Sequence, residues 1–186
     1  MDIEQATIFS IGHGGRNIDE FILLLKKYNI KYIIDVRSKP RSRFHPHFNK
    51  EALTQHLKSA DIKYVFMGES LGGIPLDRSC YDNEGKVDYE KIKKKEFFLN
   101  GIDRIKTAYS KKIRVACMCS ELAPCECHRS KLIGDFLEKI DIDIYHIDKK
   151  GDIKTQKEVM VEILDGGNYD LFPDSNKGLK SRKSYI

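Results

Sequence analysis

Apolar residues fall along this chain in two alternating rhythms. Short unbroken runs rich in β-branched residues predict buried strands, and stripes at i, i+3, i+4 spacing predict amphipathic helices. Ala6-Thr-Ile-Phe-Ser-Ile11 is the first run, and it ends in Gly12-His13-Gly14-Gly15-Arg16. A helix follows with Ile18, Phe21, Ile22, Leu25 and Tyr28 on one face, and Asn17 with Glu20 makes its N-cap pattern. Lys31-Tyr-Ile-Ile-Asp-Val36 is a second strand, and Asn49 caps a helix carrying Leu53 and Leu57. Ile62-Lys-Tyr-Val-Phe66 is a third strand, before a Gly- and Asp-rich loop from Leu71 to Asp88. Helical spacing then returns at Ile92, Phe97, Phe98, Ile102 and Ile105, with Gly101 placed to break or bend it.

The fourth run, Ile113 to Met118, leads into a loop from Cys119 to Cys127, and a helix begins near Arg129 with Leu132, Ile133, Phe136 and Leu137. Ile142-Asp-Ile-Tyr-His-Ile147 alternates with period two, as a strand near a sheet edge does. Thr155 and Glu158 form a capping box for a last helix to Leu164, after which periodicity is lost. Strands alternating with helices predict an α/β fold. We expect one three-layer domain over residues 1–165, a mostly parallel sheet flanked by helices on both faces, and a basic, mobile tail over 166–186.

In such sheets ligands bind at the carboxyl ends of strands, so the loops there carry the chemistry. The first, at Gly12, holds His13 but lacks the GxGxxG and GxxxxGK[ST] phosphate motifs. The second crowds Arg37, Lys39, Arg41, Arg43, His45 and His47, interleaved with Phe44 and Phe48, just after Asp35, a density of guanidinium and aromatic groups suited to phosphate contacts. The third admits three readings. Cys119 or Cys127 is a nucleophilic or redox thiol, its pKa depressed by His128, Arg129 and a helix N-terminus, with Glu121 nearby. Alternatively Cys119, Cys125, Cys127 and His128 hold Zn or Fe. Or the thiols are small buried apolar groups, as Cys117 within the strand is expected to be.

Charge and composition narrow the picture modestly. A formal charge of +5, 33 basic against 28 acidic residues, is compatible with nucleic acid or another anionic ligand without demanding one. No apolar run is long enough to cross a membrane. The start Met1-Asp-Ile-Glu has no basic segment followed by an apolar run. A cytoplasmic location and reduced thiols are therefore expected, with Cys80 incidental.

Several separated motifs stand together in order: Ile11-Gly-His13, Asp35-Val-Arg37 with Pro40-Arg-Ser-Arg43, Phe48-Asn-Lys-Glu-Ala-Leu53, Leu71-Gly-Gly73, Cys119-Ser-Glu121 and Cys127-His-Arg129. With these the chain resembles the family catalogued as domain of unknown function 488, from the first strand to Ile147, and Asp170-Leu-Phe172 echoes a tail pattern of some members. The resemblance implies an α/β fold and marks His13, Asp35, Arg37, Arg41, Arg43, Asn49, Cys119, Glu121, Cys127, His128 and Arg129. Cys117 and Cys125 match nothing in the family pattern. Asp35-Val-Arg37 and the Cys-to-Arg strand-loop-helix are also similar, more weakly, to the rhodanese and cysteine-phosphatase arrangement. The resulting expectation is a hydrolase or thiol-dependent transferase acting on nucleic acid or a nucleotide. Arg37, Arg41, Arg43, Asn49 and Arg129 would bind the substrate. Cys119, Glu121, Cys127, His128, Asp35 and His13 would carry the reaction. That reading requires no cofactor. The alternatives are a non-catalytic nucleic-acid-binding or adaptor module and the metal site.

Overall fold

A computed structural model describes residues 3–165 and 179–186 of the chain. Six strands form one sheet in the order β3-β2-β5-β1-β6-β7. These are β1 (Ile8–Gly12), β2 (Tyr32–Asp35), β3 (Lys63–Phe66), β5 (Val115–Cys119), β6 (Ile144–Ile147) and β7 (Ile153–Thr155). All neighbours pair in parallel except β6 and β7. The expected mostly parallel α/β sheet is thus present. The strand expected near the edge, β6, lies one place in, because β7 turns back and caps it.

Alternation along each strand divides the core. Phe9, Ile11, Ile33, Ala116 and Met118 pack on one face with Phe21 and Leu25 of α1 (Ile18–Lys27) and Leu53 and Leu57 of α2 (Lys50–Ser59). Ile8, Ile34, Val115, Cys117 and Cys119 face the other way. There they meet α3 (Gly68–Leu71), α4 (Tyr89–Ile92), α5 (Glu96–Ser110) and α6 (Asp135–Glu138) through Leu71, Ile92, Phe98, Ile102, Ile105 and Leu137. Fully buried parallel strands must be apolar on both faces, which is why these runs read as continuous. Asn17 caps α1 through the Glu20 amide, at 2.7 Å. Thr155 and Glu158 cap α7 (Gln156–Asp165) reciprocally, as the spacing predicts.

Three local expectations are corrected. Gly101 does not break α5; it is buried where a Cβ would lie 2.7 Å from Leu71, so it permits close packing of α3 against α5. Asn49 stands at the N-cap of α2, but its side chain caps nothing there and instead accepts the Ser42 amide at 2.6 Å, tying down the basic loop. The segment expected to begin an ordinary helix at Arg129 is a wide π-helical turn, Arg129–Gly134, before α6.

The basic end of the chain, which shows no periodicity, contains β8 (Lys180–Ser184), paired antiparallel with β4 (Lys86–Asp88) in a small second sheet. Asp170-Leu-Phe172 lies outside the described residues. The β4–β8 register shifts between Lys86 and Asp88, and the buried Val87 amide is met by Ser181 Oγ at 2.9 Å in place of a ladder carbonyl. Replacing Ser181 by Val should leave that amide without a partner, at about 1–3 kcal/mol. Hydrogen exchange should then quicken at Val87 and Tyr89 while the β1 and β5 amides keep their protection; uniform exchange would show that Ser181 does not hold the ribbon.

Candidate active site at the strand ends

β1, β2 and β5 end level with one another. Gly12 pairs with Cys119, and Asp35 with Met118. The ladder then continues into the loops, with the His13 amide donating to Cys119 O at 3.0 Å and the Gly14 amide to Ser120 O at 2.9 Å. Only a residue without a side chain fits at Gly12, where a Cβ would lie 1.9 Å from Glu121 O. The connections from β1 to β2 and from β5 to β6 leave in opposite directions, so these ends form the crevice where parallel sheets bind ligands.

Two clusters meet there from opposite faces of the sheet. On the α1/α2 side Asp35, fully buried, accepts Arg37 Nε at 2.9 Å and Nη2 at 2.6 Å, and accepts Tyr64 Oη at 2.7 Å. Arg37 Nη2 also donates to Phe48 O at 2.8 Å, and Nη1 lies 3.3 Å from His13 Nε2. His13 stacks on Phe48 at 4.3 Å. Burial, reinforced by the Arg37 charge, lowers its pKa from 6.5 to about 4, so the ring is neutral at pH 7.

On the opposite face Cys119, Glu121, Cys127 and His128 converge. Cys119 Sγ donates to Glu121 Oε2 at 2.8 Å. His128 Nε2 lies 3.1 Å from Val36 O; a carbonyl only accepts, so this nitrogen carries the hydrogen. Nδ1 is left as an acceptor, 3.6 Å from Cys119 Sγ and 3.7 Å from Cys127 Sγ. Gly73 fixes the ring from behind, since a Cβ there would lie 2.8 Å from His128 Cγ. The expected depression of the thiol pKa does not hold for Cys119. Its hydrogen bond with Cys127 and its burial hold it well above the ordinary value, against the pull of His128. Burial would raise Glu121, but the hydrogen bond from Cys119, a backbone amide and the His128 charge together outweigh it, and the carboxylate lies below its usual range. Burial would likewise lower His128, yet its interactions with Cys119, the Glu121 carboxylate and the Val36 carbonyl together raise it.

A cavity of about 190 Å³ opens over this cluster, lined among others by Cys119, Glu121, His128, Arg37, Lys39, Arg182 and Lys183. Three of the sequence-selected residues that carry chemistry thus share a wall with Arg37. Cys127 lies just beneath them, accepting the Arg129 amide at 3.5 Å. Asp35 and His13 do not line the cavity; they brace Arg37 from behind. Arg41 and Arg43 are exposed on the loop and do not line it either.

Arg129 also lies away from the cavity. It is fully buried, Nη2 donates to Leu122 O at 2.9 Å, and Nε and Nη1 have no hydrogen-bond partner among the described residues. With burial, the guanidinium takes His146 down to about 3, and it opposes the burial that pushes Cys117 up to about 12. Sequence reasoning missed Arg182, Lys183 and Tyr185 in the cavity wall, because a run of tail lysines and arginines carries no sign of a β4 partner.

His146 is locked between Ser10 Oγ at 2.6 Å and Gln156 Oε1 at 2.7 Å. The depressed imidazoles set an acid limit. Unfolded histidine takes up a proton near 6.5, whereas folded His13 and His146 do so only near 4 and 3, so stability is complete above about 6.5 and falls as the pH drops through that window. Urea midpoints at pH 7, 6 and 5 should show a His146→Gln variant losing roughly 1 kcal/mol per pH unit less than wild type. Parallel pH profiles would rule out His146 as a source of the slope.

No curated protein and no solved structure matched the chain. A family model does match, over residues 17–137, a span that holds Asp35-Val-Arg37, Leu71-Gly-Gly73, Cys119-Ser-Glu121 and Cys127-His-Arg129 and leaves His13 and β8 outside it. With those motifs gathered around one crevice, the chain belongs to the family described as Domain of unknown function DUF488.

Proposed function

We propose that the protein is an enzyme, a hydrolase or thiol-dependent transferase, acting on a phosphate-bearing substrate such as a nucleotide or a nucleic-acid end. The observation that carries this reading is the cavity wall. Arg37, Lys39, Arg182 and Lys183 ring it against Glu121 and Glu126, and a thiol, a carboxylate and an imidazole stand at its base. In a partly closed cavity the cations attract an anionic group strongly, because water screens them poorly. Cys119 is the thiol that reaches the cavity, and Glu121, held ionised, is positioned to take its proton as the sulfur attacks phosphorus and the phosphorus–oxygen ester bond breaks, the carboxyl group then returning that proton to the departing oxygen. His128 Nδ1 offers a second acceptor.

Removing the rim and removing the thiol should separate binding from reaction. Arg182→Ala with Lys183→Ala should weaken inorganic phosphate binding by about tenfold in calorimetry, roughly the loss of one or two charge-assisted contacts. Cys119→Ser should retain phosphate binding and lose turnover in a screen of phosphate monoesters and nucleotides. If Cys119→Ser has no effect and the only ligand is nucleic acid bound with a steep salt dependence, the protein is a non-catalytic binding module using the exposed Arg41 and Arg43.

A second reading rests on the ligand atoms of Cys119, Cys127 and His128, which all lie within 4.8 Å of one another. Bonds of about 2.3 Å to sulfur and about 2.0 Å to nitrogen in a tetrahedral Zn site give sulfur–nitrogen edges of about 3.5 Å, close to the 3.6 and 3.7 Å found. The Val36 carbonyl orients the imidazole as an outer partner does in such sites. Cys125 is not part of this group. A bound Zn or Fe would supply Lewis acidity beside the cationic rim. Elemental analysis of purified protein should then find close to one metal per chain, lost in Cys127→Ser and retained in Cys125→Ser. Metal-free protein that is active through Cys119 would leave the thiol reading alone.

A further inference from the structure

A second cavity, of about 650 Å³, adjoins the first and shares Ser38, Lys39, Ile74 and Tyr185 with it as common wall. Its other walls differ in kind. Phe66, Pro75, Leu76, Tyr81 and Phe97 line it, with Glu69 and Arg78 among its polar groups. The partition between the cavities is held in place by the Ile74 amide, which donates to Ser38 Oγ at 3.0 Å. Leu76 is 98% exposed although it lines this cavity. Such an exposed side chain gains from being covered, at about 25 cal/mol per Å² of apolar surface.

The volumes divide a ligand between them. About 190 Å³ with a cationic rim accepts a phosphoryl group but not a whole nucleoside, while about 650 Å³ falls within the usual range for small-molecule sites. Aromatic and apolar walls suit a flat ring, because every nucleobase presents a π-face. The Glu69 carboxylate can accept from an exocyclic amino group, and Arg78 can donate to ring acceptors. We infer that the larger cavity receives the base of the substrate whose phosphate enters the smaller one, which makes nucleoside monophosphates, rather than free phosphate or a sugar phosphate, the preferred class. This rests on the reading of the smaller cavity as a phosphate site.

Calorimetric titration of the full chain with inorganic phosphate, ribose 5-phosphate and nucleoside 5′-monophosphates tests it. The nucleotides should bind at least about tenfold more tightly than ribose 5-phosphate, the scale of one base stacked on an aromatic wall. Leu76→Asp, at an exposed position the fold does not need, should abolish that advantage and leave ribose 5-phosphate binding as it was. Equal affinity for the sugar phosphate and the nucleotides, or nucleotide affinity unaltered in Leu76→Asp, would overturn the base subsite while phosphate recognition stands. Failure of all three ligands to bind would remove both.

Discussion

The Asp35 carboxylate and the Arg37 guanidinium face one another out of reach of water, and the surroundings of the strand-end crevice are arranged to make that tolerable. A buried pair returns little net stability compared with well-packed apolar residues, but removing one member strands the other charge, at about 3–5 kcal/mol. Tyr64, Phe48 O and His13 take up the remaining hydrogen-bonding capacity. Because Arg37 is gripped from behind, the backbone at Val36 is fixed. Val36 O then sets the tautomer of His128 on the opposite face of the sheet. One pair thus links the basic loop, the β1 loop and the thiol cluster.

This linkage explains a division of labour among the arginines. Arg37 is both buried and cavity-lining, so its charge is oriented rather than merely present. Arg129 is fully buried and off the cavity wall; burial together with its charge keeps His146 neutral. Arg182 and Lys183 are exposed and reach the cavity only because β8 pairs with β4. Two kinds of positive charge therefore line one cavity, the braced Arg37 and the exposed Arg182 and Lys183. They differ in how strongly each is held, since Arg37 is hydrogen-bonded and buried and the β8 side chains are exposed.

The thiols carry the counterpart of this arrangement. Two sulfurs, a carboxylate and an imidazole packed together cannot all take their charged forms, because unscreened like charges repel strongly at this range. The cluster resolves the conflict by holding Cys119 as a thiol and Glu121 as a carboxylate.

Much of this was legible in the chain. Apolar runs alternating with helical stripes set the α/β class, since a strand buried on both faces has to be apolar throughout and a helix beside it only on one side. The Cys119-Ser-Glu121 and Cys127-His128 motifs could be placed at a strand end, because i, i+2 spacing and the helical stripe are local properties. What lies between elements could not be read. Gly101 looks like a helix break until Leu71 is seen against it, and Asn49 looks like a cap until Ser42 takes its side chain. Arg129 is adjacent to His128 in the chain, yet its side chain is buried against Gly12 and Leu122 and not on the cavity wall, which no one-dimensional spacing encodes. The cationic rim from β8 is the clearest case. The sequence determined that those residues are basic; only the long-range pairing of β8 with β4 decided that they stand over the thiols, because strand pairing between distant segments is a property of the packed chain and not of either segment alone.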